Sequence, residues 1–303
     1  MIVPTRSRPD QLGDCLAALR GLDVRSPTEV IVVDDDPDRS ATAPVAAADS
    51  SLAVRLLATG GAGPAAARNL GLRAATGDWI AFTDDDCEPQ GGWLEGFERA
   101  LAGTGLKAAA GVTSNGAPGA FSEASQLVID AVHAFESDGG KPRFAASNNV
   151  AFDRRALVAV GGFDESFGEA AAEDRDLCAR WVDSGRSFVR APEARVVHLH
   201  HLSPTDYWRQ QFGYGRGAWA FHSARRRRGG SSNRLQPEFY ASLADQVRAG
   251  RPGLSPARLA CLAAASQLAN AAGYASAMLD SAQASQRSRG RPVSRRSSST
   301  SGR

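Results

Sequence analysis

The stretch WIAFTDDDCEP, residues 79–89, joins five residues suited to a strand to three consecutive aspartates and then a turn. The stretch EVIVV, residues 29–33, is a continuous apolar run, and a second aspartate triplet follows it at 34–36. A continuous apolar run is typical of a parallel strand that is covered on both faces. Because close carboxylates are costly unless a cation or hydrogen-bond donors neutralise them, each triplet needs a partner.

The segments around these two strands predict alternating strands and helices up to about residue 115. A helix that begins at Pro9 has apolar residues at helical spacing, namely Leu12, Cys15, Leu16 and Leu19. The strand LAVRLLAT, residues 52–59, is followed by a glycine-rich turn and by a helix from Pro64. In a doubly wound sheet, ligands bind beyond the carboxyl ends of the strands, which is where both aspartate triplets fall. Aspartate is common in turns, but two triplets at one edge favour a hard divalent cation, which prefers oxygen ligands.

The bulk composition limits the class of protein. With 303 residues, 43% hydrophobic and 22% charged, the chain is long enough for one large or two modest globular domains. The formal net charge of +2 gives no support for nucleic-acid binding, and the four cysteines lack the spacing of a zinc or thioredoxin-like site. No charged and apolar leader opens the sequence, so we expect a cytoplasmic protein. The last residues, 285–303, are rich in serine and arginine, which predicts a disordered tail.

The turn TGGAGPAAARN offers a competing interpretation. Gly61, Gly63 and Ala66 have the spacing of a dinucleotide fingerprint between a strand and a helix, and Asp84 follows about 20 residues later. That pattern favours an NAD(P)-dependent Rossmann dehydrogenase. Against it, the turn follows the third predicted strand, and Pro64 removes a backbone N–H that a pyrophosphate would need.

Four segments occur in a defined order and spacing: VPTRSRPDQL, VIVVDDD, GPAAARNLGLRAATGDWIAFTDDDCEP and EDRDLCARW. Together they resemble the family 2 glycosyltransferases of the GT-A type over about residues 1–200. The resemblance implies an α/β fold with a mostly parallel, twisted sheet flanked by helices. It also implies a catalytic domain at residues 1–203 and a helical carboxyl-terminal region at 204–284.

The resemblance further implies an enzyme that moves a sugar from a nucleotide-diphosphate sugar to a hydroxyl, with inversion at the anomeric carbon. The expected acceptor is a glycan, a lipid or a small molecule, in the synthesis of cell-envelope glycoconjugates. Residues that match the family's donor-binding positions are Thr5, Asp35, Arg68, Asp84 and Asn149. Asp86, Asp84 and His198 match its positions for Mg²⁺ or Mn²⁺, which would bridge the diphosphate. A protein that binds a sugar nucleotide without turnover is the non-enzymatic alternative.

An inverting displacement needs one base on the acceptor side of the sugar. Glu173 and Asp174 resemble the family's Glu-Asp motif, and Asp174 is the predicted base. The apolar residues at helical spacing from Asp174 are Leu177, Cys178 and Trp181. This spacing places Asp174 on a buried face and predicts that Glu173, Arg175 and Asp176 point elsewhere. Acids are also common in the first turn of a helix for a structural reason, since they neutralise its free N–H groups.

The last third of the sequence has a helical pattern with aromatic residues and arginines. Gln210 and Gln211 are followed by FGYGRGAW, which does not match the Gln-x-x-Arg-Trp of processive polysaccharide synthases, so a single-transfer enzyme is expected. Arg209 and Arg216 suit either an acceptor channel or a helix that packs on the catalytic domain. Residues 259–279 carry no charge and predict a packed alanine-rich helix or an interfacial membrane helix. Peripheral contact with the inner face of the membrane therefore stays open.

Overall fold

The computed structural model describes residues 1–24, 26–48, 52–168, 171–230 and 236–289. Its strands are β1 (Ile2–Thr5), β2 (Val30–Asp34), β3 (Val54–Ala58), β4 (Trp79–Phe82), β5 (Cys87–Pro89), β6 (Ala108–Asn115), β7 (Ser137–Asp138), β8 (Lys141–Pro142), β9 (Val150–Asp153) and β10 (Val189–His198). Its helices are α1 (Pro9–Arg20), α2 (Thr42–Ala47), α3 (Pro64–Ala74), α4 (Trp93–Leu101), α5 (Ala120–Phe135), α6 (Arg154–Val160), α7 (Glu173–Asp183), α8 (Pro204–Arg227), α9 (Pro237–Ala249) and α10 (Pro256–Arg289).

Eight of the strands in the described residues form one sheet, in the order β3-β2-β1-β4-β9-β6-β10-β5. The strands β3, β2, β1 and β4 are parallel to one another. Strand β9 runs antiparallel to both β4 and β6, β6 and β10 are parallel, and β5 is antiparallel to β10 at the edge. The predicted α/β class is confirmed, with a sheet that is parallel in its first half and mixed in its second.

Apolar side chains cover both faces of the parallel half. Ile31 and Val33 pack on the face covered by α3 and α7, and Val30 and Val32 pack on the face covered by α1 and α4. Successive side chains of a strand point to opposite faces, so the unbroken apolar run in EVIVV follows from burial on both sides. Helix α1 buries the residues that the sequence predicts, Leu12, Cys15, Leu16 and Leu19.

The helices α8, α9 and α10 pack on the part before residue 203 through apolar clusters that are separate from the two covering the sheet. Helix α5, which follows β6, shares an apolar cluster with α9 and α10, formed by Leu127, Val128, Ala131, Leu243, Leu259 and Ala263. Helices α8 and α10 approach so closely that a Cβ on Gly215 would collide with the Asn270 carbonyl. A glycine is therefore required at this crossing.

Helix α10 extends to Arg289, past residue 284, where the disordered tail is predicted to begin. The first residues of that predicted tail are therefore helical, and residues 290–303 lie outside the described residues. The uncharged stretch 259–279 lies within α10. Among the described residues, no helix is long and apolar enough to cross a membrane.

Candidate active site

The carboxyl ends of β1, β2 and β4 meet at one edge of the sheet. Thr5, the last residue of β1, is in register with Asp34 of β2, and β4 lies on the other side of β1. The Thr5 hydroxyl donates to Asp85 Oδ2 at 2.7 Å, and the Asp35 N–H donates to the Thr5 carbonyl at 2.8 Å. Both aspartate triplets therefore lie at the same edge, as the sequence predicts.

The glycine turn after β3 is closed by Asp35, whose side chain is buried. Its carboxylate accepts a hydrogen bond from the Thr59 hydroxyl at 2.5 Å, and from the N–H groups of Gly61 and Gly63, each at 3.1 Å. Backbone N–H groups of this kind are the ones that would bind a pyrophosphate. The structure corrects the dehydrogenase interpretation, because a carboxylate of the protein already uses the donors of the turn.

The middle carboxylate of the second triplet, Asp85, is buried and binds Arg8. Arg8 Nη1 donates to Asp85 Oδ1 at 3.2 Å and to Asp86 Oδ2 at 2.9 Å. Burial raises the pKa of Asp85 to about 6, although the charge of Arg8 acts in the opposite direction. Arg8 is not among the residues that the sequence predicts for the site. The available signal was its position just beyond the end of β1, in PTRSRP, facing an edge that carries two acidic triplets.

Asp86 and His198 form the part of the edge that fits a divalent cation. His198 Nε2 lies 3.2 Å from Asp86 Oδ1. Burial favours a higher pKa for Asp86, but the hydrogen bond and charge of His198 and the charge of Arg8 outweigh it and hold this pKa well below its usual range. The site thus offers an ionised carboxylate, the ligand type that Mg²⁺ and Mn²⁺ prefer, beside an imidazole.

A thiol, Cys87, and a second imidazole, His200, lie next to Asp86 and His198. Ligand atoms of Asp86, Cys87 and His198 lie within 4.8 Å of one another. Burial raises the pKa of the Cys87 thiol well above its ordinary value, so this sulfur stays protonated and is a poor ligand. The His200 ring stacks on His198 with centroids 4.0 Å apart, and both of its nitrogens are buried without a hydrogen-bond partner in the described residues. Burial, and then the His198 charge, lower the pKa of His200 to about 4.

Arg68, on α3, joins the sheet edge to α7. Its side chain is 5% exposed; Nη2 donates to Asp84 Oδ1 and Nη1 donates to Glu173 Oε1, both at 2.8 Å. Burial favours a lower pKa for Arg68, but the two carboxylates outweigh it and raise the pKa above its ordinary value. The planar fork of a guanidinium suits two carboxylates at once. Asp84 therefore pairs with Arg68 and, among the described residues, does not join the Asp86 and His198 cluster.

The first turn of α7 corrects one prediction. Glu173 is 7% exposed and Asp176 is fully buried, whereas the helical spacing predicts that both point away from the core. Glu173 is buried because it pairs with Arg68, and Asp176 because it pairs with Arg180 at 2.8 Å and with Arg228. Cations inside the protein thus allow acids on faces that apolar periodicity alone does not mark.

Asp174 is half-buried and has a different environment. Its Oδ2 accepts a hydrogen bond from the Ser147 N–H at 3.3 Å, and its Oδ1 accepts one from the Arg175 N–H at 2.7 Å. Among the described residues it forms no ion pair. Burial, and then the Glu173 charge, raise the pKa of Asp174 to about 7, against the opposing effect of Arg68. A carboxylate with a pKa near neutrality has the proton affinity that a general base needs.

Asn149 lies just before β9, and its side chain is buried against α4, β6 and β10. The side chain accepts a hydrogen bond from Trp93 Nε1 at 2.9 Å and donates to the carbonyls of Val112 and Ala194, each at 3.0 Å. Both amide hydrogens and the carbonyl oxygen are therefore used, and the residue is 3% exposed. We correct the expectation that Asn149 contacts the donor: its amide lies just before β9 and donates to carbonyls of β6 and β10.

The fold and the site define the class of the protein. A mixed α/β sheet, acids at the carboxyl ends of its parallel strands and a second carboxylate pair at the start of α7 are features of the GT-A fold. The model of glycosyl transferase family 2 matches residues 1–159, and the chain belongs to this family.

Three glycosyltransferases are similar to this chain, two in sequence and one in fold. The chain is 31% identical over 228 residues to the pre-mycofactocin glycosyltransferase of Mycobacterium tuberculosis, an alignment that covers 72% of this chain and 46% of that protein. It is 27% identical over 233 residues to the hyaluronan synthase of Pasteurella multocida, covering 65% and 24%. The chain therefore spans less than half the length of either relative. The fold also resembles the mannosyltransferase PcManGT of Pyrobaculum calidifontis, solved with GDP-Man and Mn²⁺, with a TM-score of 0.61, 21% identity and coverage of 91% and 81%.

Proposed function

We propose that this protein transfers a sugar from a nucleotide-diphosphate sugar to an acceptor hydroxyl, with inversion and with the help of Mg²⁺ or Mn²⁺. One observation carries the proposal: Arg68 holds Asp84 of the sheet edge and Glu173 of α7 on the two nitrogens of one guanidinium. The edge that suits a cation and the helix that carries the base candidate Asp174 are therefore adjacent. An inverting transferase needs this adjacency, because the leaving diphosphate and the attacking hydroxyl lie on opposite sides of one sugar.

The nucleoside end of the donor is assigned to the ends of β1 and β2. Thr5 and Asp35 lie side by side there, joined by the backbone bond from the Asp35 N–H to the Thr5 carbonyl. Asp35 holds the glycine turn, so its part is to shape the wall of this pocket. Asp84, whose side chain is 29% exposed, is assigned to the ribose. Arg68 is buried and acts by positioning Asp84.

Asp86 and His198 are assigned to the metal. When bound, Mg²⁺ or Mn²⁺ supplies positive charge beside the diphosphate that leaves with the electron pair of the broken bond. Asp86 is kept ionised by His198 and Arg8, which suits it to hold a cation. His198 needs to lose its proton to take part, since only a neutral imidazole offers a free electron pair.

Asp174 is assigned as the base. Its carboxylate takes the proton of the acceptor hydroxyl while that oxygen bonds to the anomeric carbon and the bond from this carbon to the diphosphate breaks. Glu173 is a less suitable base, because its carboxylate is committed to Arg68 at 2.8 Å. We therefore assign Glu173 the role of keeping Arg68, and through it Asp84, in place.

Metal-dependent donor binding tests this function. Melting temperatures are measured with UDP-, GDP- and dTDP-sugars, each with and without Mn²⁺, and with NAD. A ligand present at 100 times its Kd stabilises the folded state by about 2.7 kcal/mol, which corresponds to a shift of several degrees. We expect one nucleotide class to give a shift that requires the metal. A shift with NAD alone, unaffected by Mn²⁺, would contradict the proposal.

Two variants make this test specific. Asp86→Asn removes the charge from the candidate metal ligand, so the part of the shift that depends on Mn²⁺ should be lost. Asp38→Asn is the matched control: it makes the same change of side chain at an exposed aspartate that follows the first triplet, residues 34–36. A non-catalytic sugar-nucleotide-binding protein would pass both tests and yet release no nucleoside diphosphate from the donor that binds.

We also assign the acceptor to the cell envelope, at the inner face of the membrane. The name of the Pasteurella relative, a hyaluronan synthase, supports a glycan product. Helix α10 has exposed apolar residues at Leu268, Met278 and Leu279. The sequence after Asp280 contains six arginines and no acid, which favours an anionic lipid surface.

Co-sedimentation with vesicles tests the membrane contact. The protein should sediment with phosphatidylglycerol vesicles and stay in solution with phosphatidylcholine vesicles. The double variant Leu268→Asp and Leu279→Asp should weaken sedimentation, whereas Leu56→Asp, on exposed β3, should not. Equal sedimentation of all three proteins would contradict this contact. Labelled donor incubated with extracted envelope lipids and glycans would identify the acceptor.

A further inference from the structure

Helix α8 carries a tyrosine that the mechanism above does not use. One face of this helix consists of residues at helical spacing, namely Tyr214, Gly217, Phe221, Ala224 and Arg228 at its end. This face packs along α7, and going back along it from the end of α8 leads to the start of α7. Arg228, at the end of α8, pairs with Asp176, and a Cβ on Gly217 would collide with the carbonyl of Ala171, which precedes α7. Tyr214 is one turn further along the same face. It therefore lies beyond the start of α7, the helix that carries Glu173 and Asp174.

Contacts on the other sides of α8 fix this position. Gly215 is pressed against the Asn270 carbonyl of α10, where no side chain fits. The Ser125 hydroxyl of α5 donates to Gln210 Oε1 at 2.6 Å, one turn before Tyr214. The helix is thus held between α5, α7 and α10. Because the helix is fixed, the direction in which Tyr214 extends is fixed as well.

The Tyr214 hydroxyl differs from the hydroxyls of Tyr207 and Tyr274, which also lie in the helical region. Tyr207 donates to the Leu262 carbonyl at 2.9 Å, and the Tyr274 hydroxyl lies 3.4 Å from His222 Nδ1. Within the described residues, the Tyr214 hydroxyl has no such partner, although the residue is half-buried. Polar groups in such positions are almost always hydrogen-bonded, to protein, water or ligand.

The acids at the sheet edge and the acids at the start of α7 both influence the Tyr214 hydroxyl. Burial, and then four carboxylates, raise the pKa of this phenol above its ordinary value; they are Asp174, Asp86, Asp84 and Glu173. The hydroxyl therefore stays protonated over the working pH range. It is a neutral hydrogen-bond donor on which the charges of these four carboxylates act.

We propose that the Tyr214 hydroxyl donates a hydrogen bond to a hydroxyl oxygen of the transferred sugar. The inference rests on the proposed function. In that reaction the sugar lies between the base, Asp174, and the diphosphate beside Asp86, since attack and departure occur on opposite sides of the anomeric carbon. Tyr214, one turn beyond the contact of Gly217 with Ala171, lies at the α7 side of this interval. It selects the sugar of the donor and leaves recognition of the nucleotide to the ends of β1 and β2.

Paired titrations test this assignment. Dissociation constants are measured by calorimetry in MnCl₂ for UDP and UDP-glucose, GDP and GDP-mannose, and dTDP and dTDP-glucose. The proteins are the wild type, Tyr214→Phe and Tyr207→Phe. The change Tyr214→Phe removes one oxygen and keeps the ring. Tyr207→Phe is the matched control on the same helix, where the lost hydrogen bond is internal to the protein.

The comparison is made for the nucleotide that binds to the wild type, between its sugar-bearing form and the bare nucleoside diphosphate. In Tyr214→Phe the nucleotide sugar should bind about three- to tenfold more weakly, the range expected for one neutral hydrogen bond, while the bare nucleoside diphosphate binds as in the wild type. Tyr207→Phe should lower the melting temperature and change neither affinity. Equal weakening of both ligands, or of neither, would overturn the role of Tyr214. If no pair binds to the wild type with Mn²⁺, the proposed function and this inference both fail.

Discussion

The two carboxylate groups of the site differ in how their charge is balanced. The edge group, Asp84, Asp85 and Asp86, contacts three cationic side chains, Arg8, Arg68 and His198. The helix-start group, Glu173 and Asp174, contacts one cationic side chain, Arg68. Arg68 pairs with Glu173, whereas Asp174 has no ion pair in the described residues.

Burial favours a higher pKa for Asp85, Asp86 and Asp174, but only at Asp86 is the outcome a lowered pKa. The pKa of Asp86 lies well below its usual range, because His198 and Arg8 outweigh burial, and the pKa of Asp174 is raised, because burial and Glu173 together outweigh Arg68. Burial is the largest influence on each of these carboxylates, and only at Asp86 do the hydrogen bond and charge of His198 and the charge of Arg8 together overcome it. Asp86 is therefore suited to hold a cation, and Asp174 is suited to exchange a proton.

The largest expected effect comes from removing the proton acceptor of the helix-start group. Asp174→Asn keeps the shape of the side chain and cannot take a proton, so sugar transfer should fall by about 100- to 10,000-fold. Metal-dependent donor binding should be retained, because the edge group is intact. The measurements are nucleoside diphosphate release and the melting shift with donor and Mn²⁺. The control is Asp183→Asn, an exposed aspartate at the other end of α7. Unchanged release in Asp174→Asn would rule out this base.

The next effect concerns the link between the two groups. Arg68→Met leaves Asp84 and Glu173 without their shared cation, and removing one partner of a buried ion pair costs about 3–5 kcal/mol of unfolding free energy. Arg73→Met is the control on the same helix, since Arg73 is 62% exposed and lies 3.5 Å from the exposed Glu165. That change should cost less than about 1 kcal/mol. Urea denaturation of both variants measures the difference, and equal losses would show that Arg68 is not a link.

The smallest expected effect is a dependence of stability on pH. The folded pKa of Asp174, about 7, is above the value near 3.9 of an unfolded aspartate, so the folded state binds more protons between these values. Stability from this group is therefore greatest at low pH and is lost as the pH rises through about 7.

Asp174→Asn lacks this titration, so comparing the variant with the wild type isolates the contribution of Asp174 from that of every other acid in the chain. The difference in unfolding free energy between wild type and variant should change by on the order of 1–3 kcal/mol from about pH 4 to pH 8. Transfer by the wild type should rise over the upper part of the same interval, as the base loses its proton. A constant difference across the interval would show that the pKa of Asp174 is not raised.

The parallel half of the fold was predictable from the sequence, because its signals are local. Two apolar runs that each end in three aspartates predict strands, strand ends and a shared edge, and the structure has all three. The mixed half was not predictable in the same way. Strand β9 pairs antiparallel between β4 and β6, and this order depends on contacts between segments far apart in the chain.

The same limit applies to the site residues. The position of Arg8 just beyond β1 was its one sequence signal, whereas nothing in the sequence around Tyr214 distinguishes it. Asn149 resembles a family position, yet its amide is used between strands. Glu173 lies off the predicted buried face, and Arg68, more than 100 residues away in the chain, is the reason for its burial. Pairing between distant charges leaves no periodic pattern in a sequence.

The apolar cluster that α5 shares with α9 and α10 has a consequence for how this molecule unfolds. Leu127 and Val128 of α5 are buried against Leu243 and Leu259, so the helical region cannot separate without exposing the apolar face of α5. The two parts should therefore melt in a single cooperative transition, with matching calorimetric and van't Hoff enthalpies. A chain ended after residue 203 would carry an uncovered apolar surface and would aggregate on expression.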